Sequence, residues 1–215
     1  MTLLEAPGDP YVDRRVVGRV LSSDVRGALE VAAELGRFDL DLLRPALLRK
    51  GVDPVAAFDG LAMYDWVNVV SLGADGRARV IEIDEHLRDR LRAALPVADP
   101  EGLGRDAAAV IEATPLAEVP VETLEAAVRL LPVGAAATLW DLVESRVLAE
   151  GLWGWAGQVC ARVAAAEQGR AGERTILGSI LATQADAAVR AGRPTRALWE
   201  SVGSTRGGTR AGWGG

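Results

Sequence analysis

Residues 66–83, WVNVVSLGADGRARVIEI, decide how the first half of the chain is interpreted. The run 66–71 is rich in β-branched and aromatic residues, which is typical of a strand. The Gly-Ala-Asp-Gly stretch at 73–76 has the composition of a tight turn. Residues 77–83 then alternate as a return strand would, with both isoleucines on one face. The stretch therefore predicts a β-hairpin in a sequence whose other periodic segments are helical.

Three helical segments precede this hairpin. A start signal at residues 22–24 opens the first segment, and Gly36 is placed to end it. The leucines of 40–48 give a second segment that stops at Gly51, although Pro45 makes its first turn uncertain. An Asp-Pro pair at 53–54 opens the third segment.

A closing helix follows the hairpin, because Leu87, Leu91 and Leu95 are spaced four residues apart and Pro96 ends the pattern. Three helices, a β-hairpin and a closing helix form the element order of a winged-helix domain. We therefore expect residues 22–96 to form such a domain, preceded by an irregular N-terminal strap at residues 1–21.

The remainder of the chain is predicted to be entirely helical after a Pro-, Gly- and Asp-rich linker at residues 97–105. The predicted helices lie near residues 106–113, 121–131, 135–150, 152–168, 173–191 and 195–202. Short helices separated by brief turns favour stacked helical hairpins. Ala185, Gly192 and Ala197 fit the small-residue positions of a tetratricopeptide unit, but Ser201 stands where that pattern has an aromatic residue.

The predicted fold class is thus mainly α, with a winged-helix domain followed by an α-helical hairpin array. Residues 106–202 form the array, and we call it tetratricopeptide-like. Residues 203–215 are expected to be a flexible, Gly-rich tail.

The amino-acid composition disfavours several classes of function for this protein. The 215 residues include 30 acidic and 24 basic side chains, for a net charge of -6, which disfavours binding to nucleic-acid backbone. The single cysteine, Cys160, excludes an internal disulfide and suits a reducing compartment. The first residues lack the basic flank and apolar run of a secretion signal, and no charge-free run approaches the length of a membrane span. We expect a cytoplasmic protein without a membrane segment.

Few residues could support catalysis or bind a cofactor. Lys50 is the only lysine and does not lie in a phosphate-binding loop, so the chain has no P-loop of its own. Zinc requires three or four nitrogen or sulfur ligands, whereas His86 and Cys160 are the only histidine and cysteine. Cys160 falls on the apolar side of a predicted helix, which is typical of an inert thiol. We predict a protein that is not an enzyme and that needs no cofactor or metal.

Paired carboxylates leave one enzymatic alternative open, because two acids with raised pKa values in a pocket could serve as acid and base. The pairs Asp39/Asp41 and Asp84/Glu85 are more simply interpreted as helix caps and first-turn acids. His86, next to the second pair, is expected to be an exposed or capping histidine.

Tryptophans are candidates for contact with a protein partner, because interfaces favour this residue. The candidates are Trp153, Trp155 and Trp199. Trp153 and Trp155 are two residues apart and cannot share a helix face, so we expect one in the core and the other exposed. For both residues, core packing is preferred over an interface role.

DNA binding is the alternative function. The third helix of a winged-helix domain would enter the major groove, but residues 53–65 hold three aspartates and no lysine or arginine. Arg77 and Arg79 on the hairpin are the candidate DNA contacts, and nearby acids offset their charge. A winged helix that faces protein is therefore preferred over a DNA-binding regulator with a helical dimerisation domain.

Three stretches carry a resemblance to a known family: ALEVAAELGRFD at 28–39, the leucine, tryptophan and valine at 61, 66 and 67, and IDEHLRD at 83–89. With them, residues 28–95 resemble the winged-helix domain of bacterial STAND signalling NTPases of the NACHT and NB-ARC type. In that family tetratricopeptide-like repeats commonly follow the winged helix, as residues 106–202 would do here. The nucleotide-binding half of such a protein is absent from this sequence.

The resemblance implies a site as well as a fold. In the family, a histidine in a Met-His-Asp-like motif at the end of the wing senses the bound nucleotide. The matching residues 83–85 read Ile-Asp-Glu, so that histidine is replaced, and His86 lies two positions away from its place. Asp84 and His86 are the nucleotide-sensing candidates. The implied function is a regulatory module whose partner is a protein, or a nucleotide-binding domain on the same or another chain.

Overall fold

A computed structural model describes residues 23–168 and 174–192. Within these residues the chain forms nine α-helices, one short 3-10 helix and a three-stranded antiparallel sheet, so it is mainly helical. The predicted strap, the helix at 195–202 and the Gly-rich tail lie outside the described residues. None of the helices within the described ranges is both long enough and apolar enough to span a bilayer.

The chain divides into two compact units, with the division between Val110 and Ile111. The elements up to the division are α1 (Ser23–Leu35), β1 (Arg37–Asp39), α2 (Leu40–Arg49), α3 (Pro54–Ala62), β2 (Val67–Leu72), β3 (Ala78–Ile83), α4 (Glu85–Ala94) and α5 (Pro100–Ala113), which crosses it. The second unit continues with the 3-10 helix Leu116–Glu118, α6 (Val121–Leu130), α7 (Val133–Glu150), α8 (Trp153–Gln168) and α9 (Arg174–Arg190). The predicted hairpin and the helices that flank it are confirmed.

The strand β1 was not predicted. It pairs antiparallel with β3, with Phe38 opposite Ile81, and the sheet order is β1-β3-β2. Three residues are too few to show the alternation by which a strand is recognised in a sequence. Only the pairing with β3, more than 40 residues later in the chain, makes this segment a strand.

Two helices differ in detail from the prediction. The helix α5 begins at Pro100 rather than near residue 106, because an oxygen of Asp99 accepts a hydrogen bond from the amide of Gly102 at 2.8 Å and Pro fits the first helical turn. The helix α2 continues through Pro45, and its first turn is capped by Asp39, which accepts from the amide of Leu42 at 2.9 Å.

Each unit has its own apolar core. In the first unit α1 packs against α3 and α4, and the rings of Phe38 and Phe58 meet edge to face with centroids 6.3 Å apart. In the second unit α8 packs against α6 and α9, and Trp140 of α7 is 1% exposed. Burial of each large apolar side chain stabilises a unit by about 1.5–3 kcal/mol relative to exposure.

Arginines hold the ends of two helices. Arg92 of α4 donates to the carbonyl oxygens of Ala33 and Glu34, at 3.0 and 2.9 Å, where α1 ends. In the second unit Arg146 of α7 donates to the carbonyl oxygens of Ile111 and Thr114, both at 2.7 Å, where α5 ends. These bonds satisfy carbonyls that have no partner within their own helix.

Gly36 and Gly51, predicted to end α1 and α2, both lie in the left-handed region, with φ of 75° and 70°. A Cβ at Gly51 would have no atom within 4 Å, whereas one at Gly36 would overlap the guanidinium of Arg88, which is 5% exposed. The two glycines therefore share a backbone constraint and differ in the space around them.

We expect Gly51→Ala to lower the free energy of unfolding by about 1–2 kcal/mol, the cost of a left-handed alanine. Gly36→Ala adds the overlap with Arg88 and should lower it by a further 1–3 kcal/mol, roughly the cost of overpacking a core. Urea unfolding followed by circular dichroism measures both values. Equal losses for the two variants would contradict the role assigned to Arg88.

Candidate functional site

A cleft of about 810 Å³ lies in the first unit, between the start of α2, one side of α3 and the β-hairpin. We call it the α3 cleft. Phe58, Val55 and Val80 contribute apolar surface to it. Its charged lining residues are Asp39, Asp41, Asp59, Asp75, Arg77 and Arg79. The cleft is therefore amphipathic, with more carboxylates than guanidinium groups.

Most of these carboxylates have local structural tasks. Asp39 caps α2, and Asp41 lies in the first turn of that helix, where the helix dipole favours a negative charge. Asp75 accepts a hydrogen bond from the amide of Arg77 at 3.2 Å, within the hairpin turn. The predicted structural interpretation of the Asp39/Asp41 pair is confirmed.

The two hairpin arginines proposed as DNA contacts face this acidic cleft. The Nη1 atom of Arg77 lies 4.0 Å from Oδ2 of Asp59 on α3, and the two side chains are 68% and 49% exposed. An exposed pair of this kind contributes about 0–1 kcal/mol to stability. Arg79 is also exposed and lines the same cleft. The ion pair between Arg77 and Asp59 is therefore weak, and a charged group of a binding partner could replace either side chain in it.

Several apolar side chains of the first unit are exposed to solvent. Val55 of α3 is 42% exposed, and Met63, the residue that follows α3, is 84% exposed. On β2, Val69, Val70 and Leu72 are 43%, 40% and 63% exposed. The sequence did not reveal these positions, because a run of valines is equally typical of a buried strand. Of β2 only Val67 is buried.

The two nucleotide-sensing candidates lie where β3 passes into α4. A carboxylate oxygen of Asp84 accepts from the amides of His86 and Leu87, at 3.0 and 3.3 Å, and so caps α4. Glu85 lies in the first turn, so the structural interpretation of this acidic pair is also confirmed. His86 is exposed, as expected for a histidine in an acidic helix start.

The tryptophan candidates lie in the second unit as far as they are described. Trp153 and Trp155 are both partly buried, so the expectation of one core and one exposed side chain is wrong. The guanidinium carbon of Arg190 lies 4.2 Å from the ring centroid of Trp153, which is cation–π geometry. Trp199 lies outside the described residues. Trp153 and Trp155 therefore both lie at the edge of the core, at the start of α8.

The described residues offer little for metal binding or thiol chemistry. Within the part of the chain that the structure describes, no three His, Cys, Asp or Glu side chains are grouped so that they could hold a metal ion. Cys160 is 1% exposed, as its position on the apolar side of α8 predicted. Burial raises the pKa of its thiol to about 12, and the nearby charge of Glu144 acts in the same direction.

We expect Cys160 to resist alkylation in the folded protein. With a pKa of about 12, only about one thiol in ten thousand is ionised at pH 8, and the thiolate is the reactive form. Iodoacetamide labelling followed by mass spectrometry should therefore be at least about 100-fold slower in buffer than in urea that unfolds the chain. Similar rates in the two conditions would show that the thiol is accessible.

Comparison with known proteins gives no match to this chain among family models, curated proteins or solved structures.

Proposed function

We propose that this chain is a non-enzymatic regulatory module that binds protein partners. In the proposal residues 22–96 are a winged-helix domain and residues 106–202 a tetratricopeptide-like helical domain. The arrangement would correspond to the carboxy-terminal part of a bacterial STAND-type signalling NTPase. A cytoplasmic location belongs to the same proposal and suits the single, buried cysteine.

The order of elements supports the winged-helix part. The sequence α1-β1-α2-α3-β2-β3-α4 contains three helices, a hairpin and a closing helix, and β1 adds a third strand to the hairpin. The helical part has weaker support, from the packing of α8 against α6 and α9 and of α7 against α9.

The apolar and acidic residues on the exposed surface of α3 are the observation that supports the proposal most directly. Its exposed residues include Val55 and Asp59, and Met63 follows it with 84% exposure. Residues 53–65 contain no lysine or arginine. If α3 entered the major groove, Asp59 and the N-cap Asp53 would lie close to phosphates, which is electrostatically unfavourable. The segment also has no lysine or arginine that could neutralise phosphates and so release their counterions. An apolar, acidic helix suits a protein partner instead, because burial of Val55 and Met63 contributes about 25 cal/mol per Å² of apolar surface.

The partner implied by the family resemblance is a nucleotide-binding domain on the same or another chain. The winged helix would pack on that domain and move with its nucleotide state. Asp84 and His86 stay the candidates for sensing the nucleotide. Since the Asp84 carboxylate caps α4, its engagement by a ligand would loosen the start of that helix.

The helical domain would supply a second protein-binding surface. Trp153 and Trp155 are partly exposed at the start of α8, and tryptophan is enriched among residues that dominate binding energy. The contact with Arg190 holds the Trp153 ring in place before a partner arrives. Trp199 is the third candidate of this surface.

Photo-crosslinking in the native host tests the α3 part of the proposal. We expect p-benzoylphenylalanine in place of Met63 to give a discrete adduct, because that side chain lies beside the proposed contact. Val55→Asp should reduce the adduct about tenfold, the effect of losing roughly 1.4 kcal/mol of binding. Mass spectrometry of the adduct would show whether the partner holds a nucleotide-binding domain.

The matched control places the same crosslinker at Leu48 of α2, which is 60% exposed. It should give no adduct of that mass. An identical adduct from both positions, or an adduct at Met63 that Val55→Asp leaves unchanged, would contradict a specific α3 contact.

The exposed Arg77 and Arg79 favour one alternative, a DNA-binding regulator with a helical dimerisation domain. Fluorescence anisotropy with mixed-sequence duplex DNA at low salt separates the two proposals. We expect no binding tighter than about 100 µM, the weak end of non-specific affinities. Tighter binding that salt abolishes, and that Arg77→Ala together with Arg79→Ala removes, would favour the alternative.

A further inference from the structure

The lining of the α3 cleft carries more negative than positive charge, since it holds four aspartates and two arginines. The side chain of Asp41 is 87% exposed, and its contact with Arg44 at 3.4 Å lies at the surface. The side chain of Asp59 is 49% exposed and lies 4.0 Å from Arg77. Exposed ion pairs of this kind contribute little free energy, so both carboxylates can accept a further cation.

The segment directly before the described residues has the opposite charge. Residues 11–22 read YVDRRVVGRVLS, with three arginines and one aspartate, whereas the whole chain has a net charge of -6. Val16 and Val17 stand between the second and the third of these arginines. The segment therefore combines cations with apolar side chains, and the cleft combines carboxylates with apolar surface from Val55 and Val80.

The chain enters the described fold beside one wall of the cleft. Helix α1 begins at Ser23, and Cγ2 of Val25 lies 2.8 Å from the position that a Cβ would take at Gly60 of α3. Gly60 directly follows Asp59, which lines the cleft. A segment tethered this close has an effective concentration in about the millimolar range, so even a weak contact with the cleft would be substantially occupied.

We propose that residues 14–20 of this chain bind in the α3 cleft, with their arginines beside Asp41 and Asp59 and their valines against Val55. Charge complementarity and the tether favour this occupant over a separate molecule. Residues 193–215 also hold four arginines, but they follow α9 of the second unit and contain a single valine.

Binding of this segment would cover part of the α3 surface. Val55 lines the cleft and also belongs to the surface proposed to contact a protein partner. The segment would therefore compete with that partner and hold the module in an inhibited state until it is displaced. This regulatory consequence rests on the proposed function, whereas the binding of the segment to the cleft does not.

Photo-crosslinking within the purified full chain tests the inference in the absence of any partner. We expect p-benzoylphenylalanine in place of Ala74, an exposed residue of the cleft lining, to form an adduct with residues 11–22 of the same chain. Peptic digestion and mass spectrometry locate the adduct. At about 1 µM protein, roughly a thousandfold below the effective concentration of a tethered segment, adducts between copies should be rare.

Charge reversal should weaken the contact. Arg14→Glu, Arg15→Glu and Arg19→Glu together should reduce the adduct about tenfold, because each exposed ion pair contributes up to a factor of about five. Replacement of the same three arginines with lysine is the matched control, and it should retain the adduct because it keeps the charge. On the cleft side, Asp41→Asn combined with Asp59→Asn should also reduce the adduct.

A second control places the crosslinker at Leu48, which is exposed and is not among the residues that line the cleft. It should give no adduct with residues 11–22. The proposal is overturned if the crosslinker at Ala74 gives no such adduct, reaches residues 193–215 instead, or gives a product of twice the chain mass. It is also overturned if the glutamate variant crosslinks as the wild type does, or if the lysine variant does not crosslink. None of these results would alter the adduct expected at Met63 in the native host, so the two proposals fail separately.

Discussion

The need to satisfy carbonyl groups at helix ends is the constraint on which the architecture of both units depends. Arg92 reaches from α4 to the last turn of α1, and Arg146 reaches from α7 to the end of α5. Gly36 then turns the chain, and its carbonyl accepts from the amide of Ile83 at 2.8 Å. These few bonds tie α1 to both the sheet and α4, and so fix where the hairpin lies.

Helix capping also adds acidic side chains to the first unit. Asp39, Asp53 and Asp84 begin α2, α3 and α4, and each accepts at least one amide hydrogen bond. The same carboxylates contribute negative charge around α3 and the hairpin. The carboxylates that cap helices thus also make the electrostatic potential of this surface more negative. A negative potential disfavours the binding of phosphate groups.

The fold was largely predictable because its signals are local. Asp53 followed by Pro54 predicts the start of α3, and the turn at residues 73–76 predicts the hairpin. Neither prediction depends on the rest of the chain. The two carboxylate pairs are predictable as helix caps and first-turn acids for the same reason. The start of α5 differs from the prediction because Asp99 and Pro100 lie in a Pro-, Gly- and Asp-rich stretch that is typical of a linker, although Asp followed by Pro is itself a helix-start signal.

The sequence by itself determined the helices, the hairpin and the burial of Cys160, because periodicity and capping act over a few residues. The tertiary structure alone decided that Phe38 lies in a strand and that Val69 and Val70 are exposed. It also decided that Arg77 faces Asp59 across the α3 cleft. These outcomes depend on residues distant in the chain. Neither alternating valines nor an arginine in a turn indicates which distant residue will lie beside it in the fold.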